Sequence, residues 1–358
     1  MHLVHLDATG FRNLEPVALE VPPGGVALLG PNGHGKTNLL EAAYYPVLFR
    51  SFRGGTDGEL TGFDGPGFRL QCRWVAGGAE HEVAVRFGRS PREKSITVDG
   101  APVERVADAV GRWLAVAFIP ADTVLSSGPA SGRRQYLNRL LALSDPEYLS
   151  ALTRYRAALA QRNAALRQHS AAAVAAFEPA LARAGSLLIR RRIQWIAEVG
   201  RSFAEEFAAL GEDQPVSLGY SGREELAAEE AWPDLLAAAR SRDESRGVTT
   251  VGPQRHDLVL EIGGRPLRVY GSTGQQRGAA VALKLLEWST LERETGEVPA
   301  LLLDDVFAEL DGRRQSRLAE RLRRGPIGQV LISAPRQSEL PERLELPIWE
   351  VERGTIRC

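Results

Sequence analysis

The sequence predicts an α/β fold in which a mainly α-helical arm domain is inserted into a mixed head. Three observations predict it. A short, wholly apolar run at 26–29 leads into a glycine-rich turn and then a helix-like run at 38–48. Two more apolar runs of the buried-strand type, 301–303 and 329–333, lie near the other end of the chain. Between them, residues 131–207 are rich in Ala, Leu and Arg and poor in β-branched residues. The head is placed at 1–122 and 248–358, and the helical arm at 123–247.

Each element has its own signal. Leu3, Val4 and Leu6, then 17–21, pattern as β structure, and Pro22-Pro23-Gly24-Gly25 forms a turn before the strand at 26–29. Residues 68–75, 81–87 and 95–98 read as strands, with Asp99-Gly100 as a turn leading to 102–103. In the arm, Leu152, Tyr155, Leu159 and Leu166 fall at near-helical spacing. So do Leu181, Leu188, Ile189, Ile193, Ile196 and Phe203, with Pro179 suited to the first turn of that second run. The pattern predicts a helical hairpin, with Trp195 and Trp288 as core. Strands return at 258–262 and 267–269, before 301–303 and 329–333.

The bulk numbers exclude some classes. With 358 residues, 44% hydrophobic and 25% charged, the chain has the composition of a globular protein. The N-terminus lacks the pattern of a signal peptide, and no apolar stretch is expected to reach the ~18 residues of a membrane span. The two cysteines, Cys72 and Cys358, fit a reducing cytoplasm. Charge is segregated. Residues 129–204 carry 12 Arg against Asp145, Glu147, Glu178 and Glu198, whereas 205–250 carry 11 carboxylates against four Arg. Arg133 and Arg134 in the basic stretch either bind DNA or pair with the acidic one.

Gly30-Pro31-Asn32-Gly33-His34-Gly35-Lys36-Thr37 fits G-x-x-x-x-G-K-[ST] in full, after a strand and opening a helix. Glycines let backbone N–H groups wrap phosphates, and the helix N-terminus faces the negative charge. The pattern assigns ATP to this loop, Lys36 to its β- and γ-phosphates and the Thr37 hydroxyl to Mg2+. Leu301-Leu302-Leu303 ends in Asp304-Asp305. A carboxylate at that strand end suits Mg2+, which falls to Asp304. Asp305 is placed to orient or activate the attacking water. Arg12 is a contact for adenine through a cation–π interaction. Ser272-Thr273-Gly274-Gln275-Gln276-Arg277 precedes an apolar helix-like run and reads as an anion site or as an ordinary helix cap.

The order of these motifs is similar to that of ABC-type ATPase heads of the SMC group. Over essentially its full length the chain resembles the RecF family of bacterial recombination mediators. The resemblance rests on Phe11-Arg12-Asn13, on the phosphate loop followed by Asn38-Leu39-Leu40-Glu41-Ala42, and on Gly128-Pro129 with Arg133-Arg134. It continues through Gly252-Pro253-Gln254-Arg255-His256-Asp257-Leu258 to Leu303-Asp304-Asp305-Val306-Phe307-Ala308-Glu309-Leu310-Asp311.

That resemblance implies an ABC/SMC-type ATPase head that hydrolyses ATP slowly, as a switch. It implies a head-to-tail homodimer on ATP binding, in which Ser272, Thr273, Gly274 and Gln275 of one subunit act on the ATP held by Lys36 of the other, with Asp311 at the seam. It also implies binding to double-stranded DNA or to single/double-strand junctions. Action with RecR and RecO to load RecA at gaps follows, within DNA replication, repair and the SOS response. The chain departs from transporter-type relatives at Leu331-Ile332-Ser333-Ala334, which has no histidine. No glutamine is assigned to Mg2+ between the loop and the arm, and Asp122 lies near that position. A transport ATPase subunit and a structural ATP-gated clamp with negligible turnover are the alternatives.

Overall fold

The computed structural model describes residues 1–63, 65–307, 310–324, 328–340 and 345–358. They divide into two compact units.

The first unit comprises Met1–Asp122, Ala209–Glu212 and Val281–Cys358. It holds two six-stranded sheets. One is antiparallel, built from β1 (His2–Thr9), β2 (Val17–Glu20), β4 (Gly67–Ala76), β5 (Ala79–Arg89), β6 (Arg92–Val98) and β7 (Ala101–Pro102), in the order β2-β1-β4-β5-β6-β7. Along β4, Phe68, Leu70, Cys72 and Trp74 are buried and the residues between them are not, the alternation of a sheet with one solvated face. Asp99 and Gly100 close the β6–β7 hairpin with φ of 50° and 78°, as an Asp-Gly turn with both central residues left-handed requires.

The second sheet contains β3 (Gly25–Leu29), β8 (Ala115–Phe118), β12 (Ala300–Asp304), β13 (Val330–Ala334), β14 (Ile348–Glu352) and β15 (Thr355–Arg357), in the order β15-β14-β3-β13-β12-β8. All but β15 run parallel. Every residue of β8, β12 and β13 is buried, which explains their unbroken apolar runs. The register sets Leu29 beside Ala334 and Asp304 beside Ser333, so the carboxyl ends of three neighbouring strands share one edge. Ligands of open parallel sheets bind at such an edge. The helix Lys36–Leu48 touches β8, β12 and β13 of this sheet and β4 of the other. Buried between two sheets, it carries apolar residues nearly all round, with Leu39, Leu40, Ala42, Ala43, Tyr44, Tyr45 and Val47 buried. Phe11, Tyr45 and Phe68 meet edge to face at centroid distances of 5.3–6.3 Å.

The second unit comprises Thr123–Ala208 and Asp213–Ala280. Its longer helices are Ala130–Ser144, Pro146–Arg167, Glu178–Ala209 and Trp232–Arg246. The sequence predicts a hairpin, and the structure has more. Asp145 divides the stretch 130–167 into two helices by capping the one at Pro146, its side chain accepting from the N–H groups of Glu147 (2.8 Å) and Tyr148 (3.2 Å). Pro179 stands in the first turn of Glu178–Ala209, as expected. A three-stranded antiparallel sheet, β11 (Arg265–Pro266), β10 (Asp257–Ile262) and β9 (Val216–Ser221), completes the unit. The strand expected at 267–269 is instead one helical turn, Leu267–Tyr270, in which only Leu267 is buried. Three residues, with only Leu267 and Val269 apolar, are too few to carry a period.

Two further expectations meet the structure here. Segment Ala171–Ala209 is long and apolar enough to cross a membrane by length and composition, which corrects the expectation that no such stretch exists. Its alanines raise the mean hydropathy, and its larger buried residues, Leu181, Leu188, Ile189, Trp195 and Phe203, recur with the spacing of a core helix face. The basic and acidic stretches do meet inside this unit. Arg162, fully buried, pairs with Asp243 at 2.8 Å, and Arg240 pairs with Glu178 at 2.9 Å.

Candidate nucleotide-binding site

At the carboxyl edge of the parallel sheet, β3 runs into the loop Gly30–Thr37. A Cβ at Gly30 would lie 2.1 Å from the Val351 carbonyl, so only glycine passes there. Gly33 and Gly35 have φ of 80° and 114°, and a Cβ on Gly33 would meet nothing within 4 Å, so the loop presents bare backbone there. The helix that follows has no side-chain cap, which leaves its first-turn N–H groups for an anion. Lys36 is 3% exposed and donates to the Gly30 carbonyl (2.7 Å), the Pro31 carbonyl (3.2 Å) and Asn32 Oδ1 (3.4 Å). Its ammonium thus sits inside the curve of the loop. Asn13 Nδ2 braces the Gly33 carbonyl at 3.2 Å. His34 is tied at both ends to the β14–β15 turn. Its carbonyl accepts from the Gly354 N–H at 2.9 Å, and its Nδ1 from the Arg353 N–H at 3.4 Å.

The structure brings Thr37 and Asp304 together. The Thr37 hydroxyl donates to Asp304 Oδ1 at 2.8 Å. Asp304 is 6% exposed; burial pushes its carboxyl above the ordinary range, against the hydrogen bonds from Thr37 and Ser333. Thr37 Oγ1 and Asp304 Oδ1 form an oxygen pair suited to Mg2+. Asp305 turns the chain off β12 with φ of 49°, left-handed for a residue with a Cβ.

Ser333 is the residue that sequence reading missed. Its hydroxyl lies 2.9 Å from Asp304 Oδ1 and 3.2 Å from Asp305 Oδ1, and accepts from the Asp305 N–H at 3.0 Å. One side chain from β13 therefore fixes both aspartates. The available signal was a polar residue inside an otherwise apolar run, within the segment 331–334 noted for having no histidine.

Arg12 is clamped. Its Nε donates to Glu41 Oε2 at 2.9 Å, its Nη2 to Glu41 Oε1 at 3.3 Å and its Nη1 to the Glu59 carbonyl at 3.0 Å. Glu41 is fully buried and also accepts from Arg53 and Ser51. Burial alone would raise the Glu41 carboxyl, but the bonds from Arg53, Arg12 and Ser51 outweigh it and hold it below the ordinary range. Asp122 accepts from the Ile119 N–H at 2.8 Å.

In the second unit Ser272 and Thr273 are exposed at the start of the helix Thr273–Thr295. Ser272 Oγ accepts from the Gln275 N–H at 3.2 Å, and the Ser272 N–H donates to Gln275 Oε1 at 2.9 Å, a reciprocal cap. The ordinary-cap reading is thus satisfied within this chain. Asp311, exposed, caps the helix Gly312–Arg324 by accepting from the Arg314 N–H at 3.0 Å, while Ala308 and Glu309 lie outside the described residues. Arg133 is corrected as a DNA contact. It is 4% exposed and its fork is closed on Asp257 at 2.9 and 2.7 Å, a carboxylate outside the acidic stretch. Arg134 is only half-buried, and its Nη1 donates to the His256 carbonyl at 3.1 Å.

No family model matches the chain. Curated relatives match along its whole length. The DNA replication and repair protein RecF of Roseiflexus castenholzii is 34% identical, covering 99% of both chains. That of Frankia alni is 35% identical with the same coverage. Among solved structures, the recombination mediator protein RecF with ATP, in the RecFOR pathway, superposes with a TM-score of 0.91 at 30% identity, covering 99% of this chain and 97% of the other. The RecF-ATPrS structure gives 0.89 at the same identity and coverage. An Smc head bound to the C-winged helix domain of ScpA gives 0.58 at 15% identity, a likeness of fold alone.

Proposed function

The chain belongs to the RecF family, and from that premise we propose that it is an ATP-dependent DNA-binding protein of recombinational repair. The observation that carries the nucleotide chemistry is the 2.8 Å contact of Thr37 with Asp304, which joins the phosphate loop to the end of β12. Free first-turn amides, bare glycine backbone and the Lys36 ammonium fit a triphosphate; the Thr37–Asp304 oxygens fit Mg2+. Mg2+ held by Thr37 and Asp304 would supply positive charge against the phosphates. Lys36 swings from the loop carbonyls to the phosphates, and the loop amides hold them. Asp305 orients the attacking water, with Ser333 fixing its backbone. Arg12, clamped on Glu41, offers its guanidinium plane to adenine.

ATP binding drives a homodimer, in which Ser272, Thr273, Gly274 and Gln275 meet the γ-phosphate of the nucleotide on the partner copy, and Asp311 lies at the seam. Hydrolysis is slow and ends the bound state. The DNA is double-stranded or a single/double-strand junction. The protein works in the cytoplasm with RecR and RecO to load RecA at single-strand gaps, and so serves replication and the SOS response. The two solved relatives described within the RecFOR pathway support this assignment of partners. A turnover assay with and without gapped DNA tests the enzymatic part. Slow, Lys36-dependent phosphate release is expected, and turnover that survives loss of Lys36 would sink it.

A further inference from the structure

Within the second unit the family-like segment 252–258 collects arginines. Arg133 is neutralised by Asp257. Arg192 is fully buried, and every bond it makes is to a neutral acceptor. Its Nε donates to the Tyr148 hydroxyl (3.1 Å), its Nη1 to the Pro253 carbonyl (2.9 Å) and its Nη2 to Asn138 Oδ1 (2.8 Å). Among the described residues, Arg134 reaches only the His256 carbonyl, and the exposed Arg255 only the Thr249 carbonyl at 3.2 Å. Arg223 stands 3.7 Å from Glu225.

His256 adds no countercharge. Its Nδ1 lies 2.7 Å from the Tyr220 hydroxyl, and its Nε2 accepts from the Arg223 N–H at 3.3 Å. Burial, with Arg192, Arg134 and Arg223 around it, pushes its pKa down to about 4 despite Glu225. Burial likewise lowers the Arg134 guanidinium; Asp257 works against this, while Arg192, Arg255 and Arg133 add to it. Among the described residues, Arg134, Arg192 and Arg255 thus form a positive group with no carboxylate partner. Grouped cations that are partly out of water and unpaired repel one another unless an anion joins them.

We propose that Arg134 and Arg255, backed by the buried Arg192, form a docking point for a backbone phosphate of nucleic acid. This rests on the DNA-binding reading and gives that reading a place. Guanidinium forks match phosphate oxygens in two-point contacts, and a backbone phosphate is read without regard to base. Arg192 is the positioning charge; Arg134 and Arg255 make the contact.

The test is the double variant Arg134→Gln with Arg255→Gln, titrated with gapped duplex DNA at several salt concentrations, beside the wild type and Arg134→Lys with Arg255→Lys. Losing the contact to that one phosphate should shallow the slope of log K against log salt by ~0.9. The lysine pair should keep the wild-type slope. Inorganic phosphate should raise the melting temperature of the wild type and not of the glutamine pair. A glutamine pair with unchanged slope overturns the docking point, while leaving the DNA-binding reading intact. Wild-type protein that binds no DNA at all overturns both.

Discussion

The Thr37 hydroxyl donates to Asp304 Oδ1 across 2.8 Å, although 267 residues separate them. The parallel sheet makes this possible. β13 lies between β3 and β12, so the loop after β3 and the acidic end of β12 open at one edge.

Lys36→Met should abolish ATP-driven dimerisation without unfolding the protein. The Lys36 stem is buried and its ammonium bonds only to loop acceptors, so a methionine of similar length keeps the packing. The melting free energy should change by less than about 1.5 kcal/mol. Size-exclusion chromatography with ATP checks it, and a variant that still dimerises contradicts the assignment.

Ser333→Ala should slow turnover about 10-fold, the equivalent of a hydrogen bond of ~1.4 kcal/mol, with ATP affinity nearly unchanged. Its hydroxyl accepts from the Asp305 N–H and reaches both aspartates, so its loss loosens Asp305 more than the phosphate grip. Ser333→Thr should restore the rate. Single-turnover kinetics beside a nucleotide titration separates the two quantities. Weakened ATP affinity with an unchanged single-turnover rate would assign Ser333 to ATP affinity alone.

Ser272→Arg should bind ATP and fail to dimerise. It also removes a helix cap, since Ser272 Oγ accepts from the Gln275 N–H, so a stability loss of about 1 kcal/mol is expected. Ser272→Asn, which still caps, isolates that cost. If Ser272→Arg loses ATP binding, Ser272 serves its own chain's nucleotide, and the two-copy site is wrong.

Stability should fall on acidification between pH 6.5 and 4 because of His256. Above pH 6.5 the ring is neutral in both folded and unfolded chains and contributes nothing. As pH drops, the unfolded chain takes a proton that the folded chain, with its pKa at about 4, refuses. The cumulative loss is about 3 kcal/mol by pH 4. Tyr220, Arg223, Arg192, Arg134 and Glu225 surround the ring and set the shift. Denaturant melts across this window should show the slope for the wild type and a flatter one for His256→Gln. Parallel slopes would place the proton uptake elsewhere.

Much of the head was legible because its signals are local. The glycine loop, the apolar run ending in Asp304-Asp305 and the Asp99-Gly100 turn each state their geometry within a few residues. The arm's helices were legible by period, but their number was not, because Asp145 ends one helix and caps the next within a single step. Ser333 escaped because its role lies in the register with Asp304, which a strand's own sequence does not state. Arg133 misled for the same reason. A double arginine reads as surface charge until the fold brings Asp257, 124 residues away, against one of the pair.

The most direct test of the account is DNA affinity measured with ATP, with ADP and with no nucleotide, on one gapped duplex at fixed salt. The nucleotide site and the DNA surface are proposed to be coupled through an ATP-driven dimer. Binding at least 5-fold tighter with ATP than in the other two states is therefore expected, a coupling of about 1 kcal/mol. Equal affinity in all three states would contradict it.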